Sequence, residues 1–277
     1  MDRFRNNTSV NRLLHTLIPF LIMTAFQRGL YLLFSGLGFE GTGAELCAFL
    51  PASVIAVLLF RLRTYTVDED GNYEPVEPLV PAEPVVCVLR LLAAFAALIG
   101  WMFAVAILVN AAGDAGEVVA SASFSILGLI SLLIIHPIVE EWIFRGMFYG
   151  ELRLMSPLFG ILAQGVMFAI VHRTTGEMIY ALGAGLILGI LEEQTGRLWC
   201  CIAAHILINL RSAVCLTALA DRPETCLRMD VALIVLGCLA FLALLIWNGR
   251  ANEKAIEAQE SSDQPSESPE ASSKEDS

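Results

Sequence analysis

Eight apolar stretches, separated by short polar breaks, organise this chain: Leu13 to Phe39, Leu46 to Phe60, Val85 to Ala112, Phe124 to Val139, Leu158 to Val171, Met178 to Leu191, Leu198 to Ala220 and Val231 to Trp247. None alternates with the period of two that a half-buried strand requires, and each is long enough for a helix. A hydrocarbon core of ~30 Å needs about 20 helical residues, so the shortest stretches must recruit flanking residues, tilt or shelter inside a bundle. The pattern predicts an all-α, polytopic transmembrane bundle of about eight helices, or seven if one short stretch fails to cross. The first stretch carries Pro19, Gln27 and Arg28 and exceeds a secretory apolar segment in length, so it is expected to be a retained helix.

Composition supports this reading, because 56% of the 277 residues are hydrophobic and 16% are charged, too little polar surface for a soluble domain. With eight spans, twelve basic residues fall on the side of the termini: Arg3, Arg5, Arg12, Arg61, Arg63, Arg90, Arg145, Arg153, Arg197, Arg250, Lys254 and Lys274. Only Arg173, Arg222 and Arg228 fall opposite. This asymmetry places both termini in the cytoplasm. The net charge of -11 comes largely from an acidic, proline-containing loop (Asp68 to Glu83) and from the tail after Asn252, expected to be a disordered spacer. It implies no nucleic-acid partner. The seven cysteines show no metal-ligand spacing and are assigned no chemistry.

Ionisable residues inside spans are costly and mark functional positions by default. Glu141 and Arg145 are four apart, share a helix face and can pair, which leaves the adjacent Glu140 without a cation and placed to act as a general base. Phe168 and His172 share another face, also at four-residue spacing. Glu140 and His172 lie 16 residues either side of Ser156, so a turn at Ser156-Pro157 brings them to one depth. The helix that carries Glu140, from Phe124 to Met155, is too long to lie straight within the bilayer and is expected to bend at Pro137. His205 and Asn209 form a third pair, suited to holding an oxyanion or a metal. Taken singly, each pair has a structural explanation: a charged helix end, an interfacial imidazole, a helix-to-helix hydrogen bond. His15, His136, Arg28 and Arg211 show no comparable partners in sequence.

The ordered set Glu-Glu-x-x-x-Arg at 140 to 145, Phe-x-x-x-His at 168 to 172 and His-x-x-x-Asn at 205 to 209 resembles the family that joins type II CAAX prenyl endopeptidases with bacterial bacteriocin-processing and immunity proteins, often called CPBP or Abi. The stretch Ala184 to Leu191, continuing through Thr195-Gly196-Arg197-Leu198-Trp199, is also similar to bacterial members. The resemblance covers about residues 124–212, a catalytic core set between N-terminal helices (1–123), a C-terminal transmembrane region (213–249) and the tail (250–277). It implies that Glu140 and His172 activate water, His205 and Asn209 stabilise the oxyanion, and Glu141 and Arg145 support the site. Glu192 and Glu193 depart from the family pattern.

The reading that follows is an intramembrane endopeptidase with a central polar cavity, hydrolysing a peptide bond near the membrane-associated C-terminus of a protein or peptide substrate. The alternative is a noncatalytic immunity or scaffold protein with the same fold. A transporter would show inverted repeats and paired broken helices, which the sequence does not contain. Glu140, His172 and His205 can complete a two-histidine, one-carboxylate Zn2+ site, or serve a metal-free route in which Glu140 takes the proton; the reading favours metal assistance. The expected location is a bacterial cell membrane, with the lipid bilayer as the other partner.

Overall fold

The architecture comes from a computed structural model, which describes residues 8–62, 66–67, 73–74, 79–111, 125–172 and 174–263. Among these residues eight helices follow in order: α1 (Thr8–Gly36), α2 (Gly41–Arg61), α3 (Pro84–Ala111), α4 (Ile126–Leu152), α5 (Pro157–Ile170), α6 (Thr175–Thr195), α7 (Leu198–Leu216) and α8 (Pro223–Asp263). The α2–α3 connection contains a minimal antiparallel ribbon of β1 (Thr66–Val67) and β2 (Tyr73–Glu74). Much of the acidic loop lies outside the described residues, as does 112–124. Among the described residues seven helices are long and apolar enough to cross a membrane, while α5, at 14 residues, is not.

Polarity is inverted relative to a soluble protein. Large apolar side chains such as Leu21, Leu32, Val54, Leu58 and Ile126 stand exposed, whereas Glu141, Arg145, Glu151, Gln164, Glu192 and Asp230 are buried. Such a surface is stable only where lipid replaces water. Inside, one apolar cluster gathers Phe20, Phe60, Phe144, Phe148 and Phe168 from α1, α2, α4 and α5. A second gathers Leu98, Ile99, Leu188, Leu191 and Ile208 from α3, α6 and α7. Helices α5 and α6 approach closely at Gly165 and Gly185, where a Cβ on Gly185 would lie 2.9 Å from the Gly165 Cα. Small residues permit this backbone contact, as they commonly do between membrane helices. Helix α6 opens with a capping box of Thr174 and Glu177 and closes at Gly196, whose φ of 57° and bond to the Glu192 carbonyl stop the helix.

Helix α4 continues through Pro137, and the expected bend takes a different form. Ser131–Ile135 and Trp142–Tyr149 are π-helical and flank an α-helical segment, His136–Glu141. The His136 N–H donates to the Ser131 carbonyl, five residues back, and Pro137 has no N–H. The Leu132 carbonyl therefore loses both donors a helix would offer it. Wide turns of this kind concentrate at functional positions.

Several expectations need correction. Cys215 and Cys226 form a disulfide across the α7–α8 connection, so two cysteines do have a covalent role; an 11-residue separation over a turn carries no spacing signature. Helix α8 runs to Asp263, into the segment expected to be disordered, because Ala251 to Glu260 is rich in strong helix formers. Residues 264–277 of that tail lie outside the described residues. The residues without evident sequence partners all have spatial ones. His15 stacks on Phe60 and hydrogen-bonds its carbonyl at 3.1 Å, and Arg211 pairs with the buried Asp230, its Nε 2.8 Å from Oδ1.

Candidate active site

Glu141 and Arg145 come from the turn of α4 that enters its second π segment. The Arg145 Nη1 donates to Glu141 Oε1 at 2.9 Å, and both side chains are fully enclosed. The guanidinium also lies over the Phe168 ring, 4.6 Å from its centroid, and reaches the Gly185 carbonyl at 3.4 Å. Low dielectric makes such a pair strong but costly to separate. Glu140, one residue earlier, is rotated by about 100° and remains partly accessible, as its position on the helix requires. The His136 Nδ1 lies 3.3 Å from its Oε1, and Phe49 stacks on that imidazole at 4.3 Å. The intact helix across Pro137 makes this four-residue contact possible.

The other two motifs face this pair. His205, on α7, donates its Nδ1–H to Glu141 Oε1 at 2.7 Å, which leaves Nε2 turned toward Glu140 Oε2, 3.9 Å away. His172, just past the end of α5, donates Nδ1–H to the Phe168 carbonyl at 2.8 Å. The imidazoles of His136, His172 and His205 all interact with the Glu140 charge. Phe168 stands among them, edge-on to His172 at 5.0 Å and to His205 at 6.1 Å. Arg28, from α1, places Nη2 3.4 Å from the carbonyls of both Ile170 and His172, so a cation caps the α5 C-terminus beside the site. Asn209, one turn after His205, donates Nδ2 to the Leu132 carbonyl at 2.9 Å. That carbonyl is the one orphaned by Pro137 and the π register. One amide N–H of Asn209 is thus committed to α4, and the second is left for other partners.

Glu140, His172, His205 and Asn209 are all half-buried, while Glu141 and Arg145 are 0% and 1% exposed. The structure brings the six residues into one locus with two accessibilities. The imidazoles of His172 and His205 both have Nδ1–H tied to an acceptor, the arrangement that fixes tautomer and aims Nε2. Among the described residues no three His, Cys, Asp or Glu side chains gather closely enough to hold a metal ion. In this arrangement Glu140, His172 and His205 do not meet as a set of three metal ligands.

Other polar residues emerge only from the structure. Gln164 on α5 is fully buried and donates to the Gly185 carbonyl at 2.7 Å. Its place one turn before Phe168 in an apolar helix was the available signal. Glu192 is buried against Cys201, whose thiol lies 3.4 Å from Oε2, while Glu193 accepts from Tyr149 and pairs with Arg153. Glu193 thus packs against the end of α4, and Glu192 against α7.

Residues 122–211, which contain all three motifs, match the family model described as Rce1-like, type II CAAX prenyl endopeptidase Rce1-like. The chain is also similar to the Bacillus subtilis (strain 168) protein named "Putative membrane peptidase YdiL", with 33% identity over 84 residues, 30% of this chain and 34% of that protein. The chain thus spans about a third of the length of that curated relative. No solved structure matches it.

Proposed function

We propose that this integral membrane protein hydrolyses a peptide bond near the membrane-associated C-terminus of a protein or peptide substrate. The observation that carries the reading is the gap between Glu140 Oε2 and His205 Nε2. At 3.9 Å it is too long for a direct hydrogen bond and short enough for one water to bridge. A water held there donates one hydrogen to Glu140 and the other to His205, and its lone pairs face an incoming carbonyl. Glu140 takes the proton as the water attacks, and passes it to the departing amine as the tetrahedral intermediate collapses. His172 adds a second imidazole beside Glu140, and the remaining Asn209 amide N–H is available to the oxyanion. Glu141 holds His205 in its tautomer and is itself held by Arg145.

The test is cleavage of membrane-anchored peptides by purified protein, read by mass spectrometry. Glu140→Gln keeps the side-chain shape and removes the base, so turnover should fall by at least ~100-fold with melting unchanged. Wild-type turnover in that variant overturns the reading.

A further inference from the structure

Three buried polar atoms around Arg145 have no hydrogen-bond partner among the described residues: Glu141 Oε2, Arg145 Nε and Gln164 Oε1. The residues are 0%, 1% and 0% exposed, so bulk water does not satisfy them. Buried polar atoms in native proteins are nearly always paired, and ordered water commonly completes the pairing. The three are also chemically complementary, two acceptors and one donor, and water has two hydrogens to give and lone pairs to accept with.

Two of them, Arg145 Nε and Gln164 Oε1, belong to side chains that meet at one carbonyl. Arg145 Nη2 and Gln164 Nε2 both donate to the Gly185 carbonyl, at 3.4 and 2.7 Å. The Nε–H of a guanidinium points along the same edge of its planar fork as Nη2, so it faces the side where the Gln164 amide lies. On the opposite edge Nη1 holds Glu141, which holds His205. Gly189 completes the pocket: a Cβ there would fall 2.5 Å from Gln164 Nε2, so this glycine leaves the amide its space.

We propose that Arg145 Nε, Gln164 Oε1 and Glu141 Oε2 hold ordered internal water, and that Gln164 is a positioning residue that sets His205 through Arg145 and Glu141. The inference rests on the reading of His205 as the imidazole facing the reacting water. Gln164 touches no reacting atom. It fixes the guanidinium plane, the guanidinium fixes the carboxylate, and the carboxylate fixes the imidazole.

The test is ¹⁵N-histidine NMR of the full chain in lipid nanodiscs, paired with peptide-cleavage kinetics. Four histidines make assignment tractable. Wild-type His205 should show the Nδ1–H tautomer. Gln164→Met preserves length and volume but removes both amide atoms, so His205 should show mixed tautomers. The kcat should fall about 10- to 100-fold, the loss typical when the support of a functional imidazole is removed, with KM unchanged. Gly189→Ala displaces the same amide from α6, so it should move the same resonance and add little in the double variant. His205 signals identical to wild type in both variants overturn the proposal; should Gln164→Met not fold, Gly189→Ala alone decides. The NMR readout needs no turnover, so a wild-type chain that cleaves nothing defeats the proposed function while the positioning relay is still judged by the resonance.

Discussion

Replacing Glu141 by glutamine disturbs two groups at once, and the structure sets the size of the effect. The carboxylate is wholly enclosed and its Oε1 accepts from Arg145 at 2.9 Å and from His205 at 2.7 Å. Neutralising it leaves the buried Arg145 guanidinium without a countercharge among the described residues, beside the Phe168 ring and the Gly185 carbonyl. Removing one member of a buried pair costs about 3 to 5 kcal/mol, mostly the penalty of the stranded charge. Glutamine keeps a carbonyl oxygen that retains one hydrogen bond of ~1 kcal/mol, so the loss should fall near the lower end, about 3 kcal/mol. Glu141→Gln should therefore lower the melting temperature and the activity together. Adding Arg145→Met removes the stranded cation and should restore part of the stability, but not the activity, since His205 still lacks its carboxylate. The assay is a thermal-shift and peptide-cleavage comparison of wild type, Glu141→Gln, Arg145→Met and the double variant in one detergent. A Glu141→Gln protein that melts with wild type would refute the argument that this pair is a buried structural unit.

Asn209→Leu should orphan the Leu132 carbonyl and destabilise by about 1 to 3 kcal/mol, visible as a lower melting temperature; unchanged melting would show that the carbonyl has another partner. Both termini should be cytoplasmic, so reporters at Ser277 and near Asp114 should lie on opposite sides, and the same side at both would sink the eight-crossing arrangement. In that arrangement the Cys215–Cys226 bridge faces the compartment opposite the termini, so both thiols should resist a membrane-impermeant alkylator in intact cells until a reductant is added. Protein stripped by chelator should keep its peptide-cleaving activity through the Glu140 route, and loss of activity restored by stoichiometric zinc would overturn that expectation.

The bundle was legible because lipid imposes a simple rule on the chain: every crossing must be apolar and helical, so hydropathy alone locates the elements. The Glu141–Arg145 pair was legible for a similar reason, since helical spacing puts both on one face. Contacts that depend on register between helices were not. Asn209 meets Leu132 only because Pro137 and a π turn free that carbonyl, a combination that hydropathy cannot register. His136, which showed no comparable partner in sequence, reaches Glu140 because the helix continues through Pro137. Asp230 stands just outside the last apolar stretch, so its buried pairing with Arg211 was hidden by the boundary. Glu141 also serves two helices: the sequence shows its partner at Arg145, four residues away, but not His205, 64 residues away.

Helix α5 has a consequence for the surrounding bilayer. Its 14 residues rise about 21 Å, roughly 9 Å less than a typical hydrocarbon core. Leu158, Leu162, Val166 and Ile170 stand exposed along it at four-residue intervals, so this short helix presents an apolar stripe outward, to lipid. A short hydrophobic wall draws the two leaflets together at a cost of fractions of a kcal/mol per Å, and its C-terminal end is where His172 sits. The depth of the candidate site below the headgroups is therefore a property of protein and bilayer jointly. Acyl-chain length becomes a control on the proposed reaction, with thin bilayers relieving the mismatch beside His172 and thick ones opposing it.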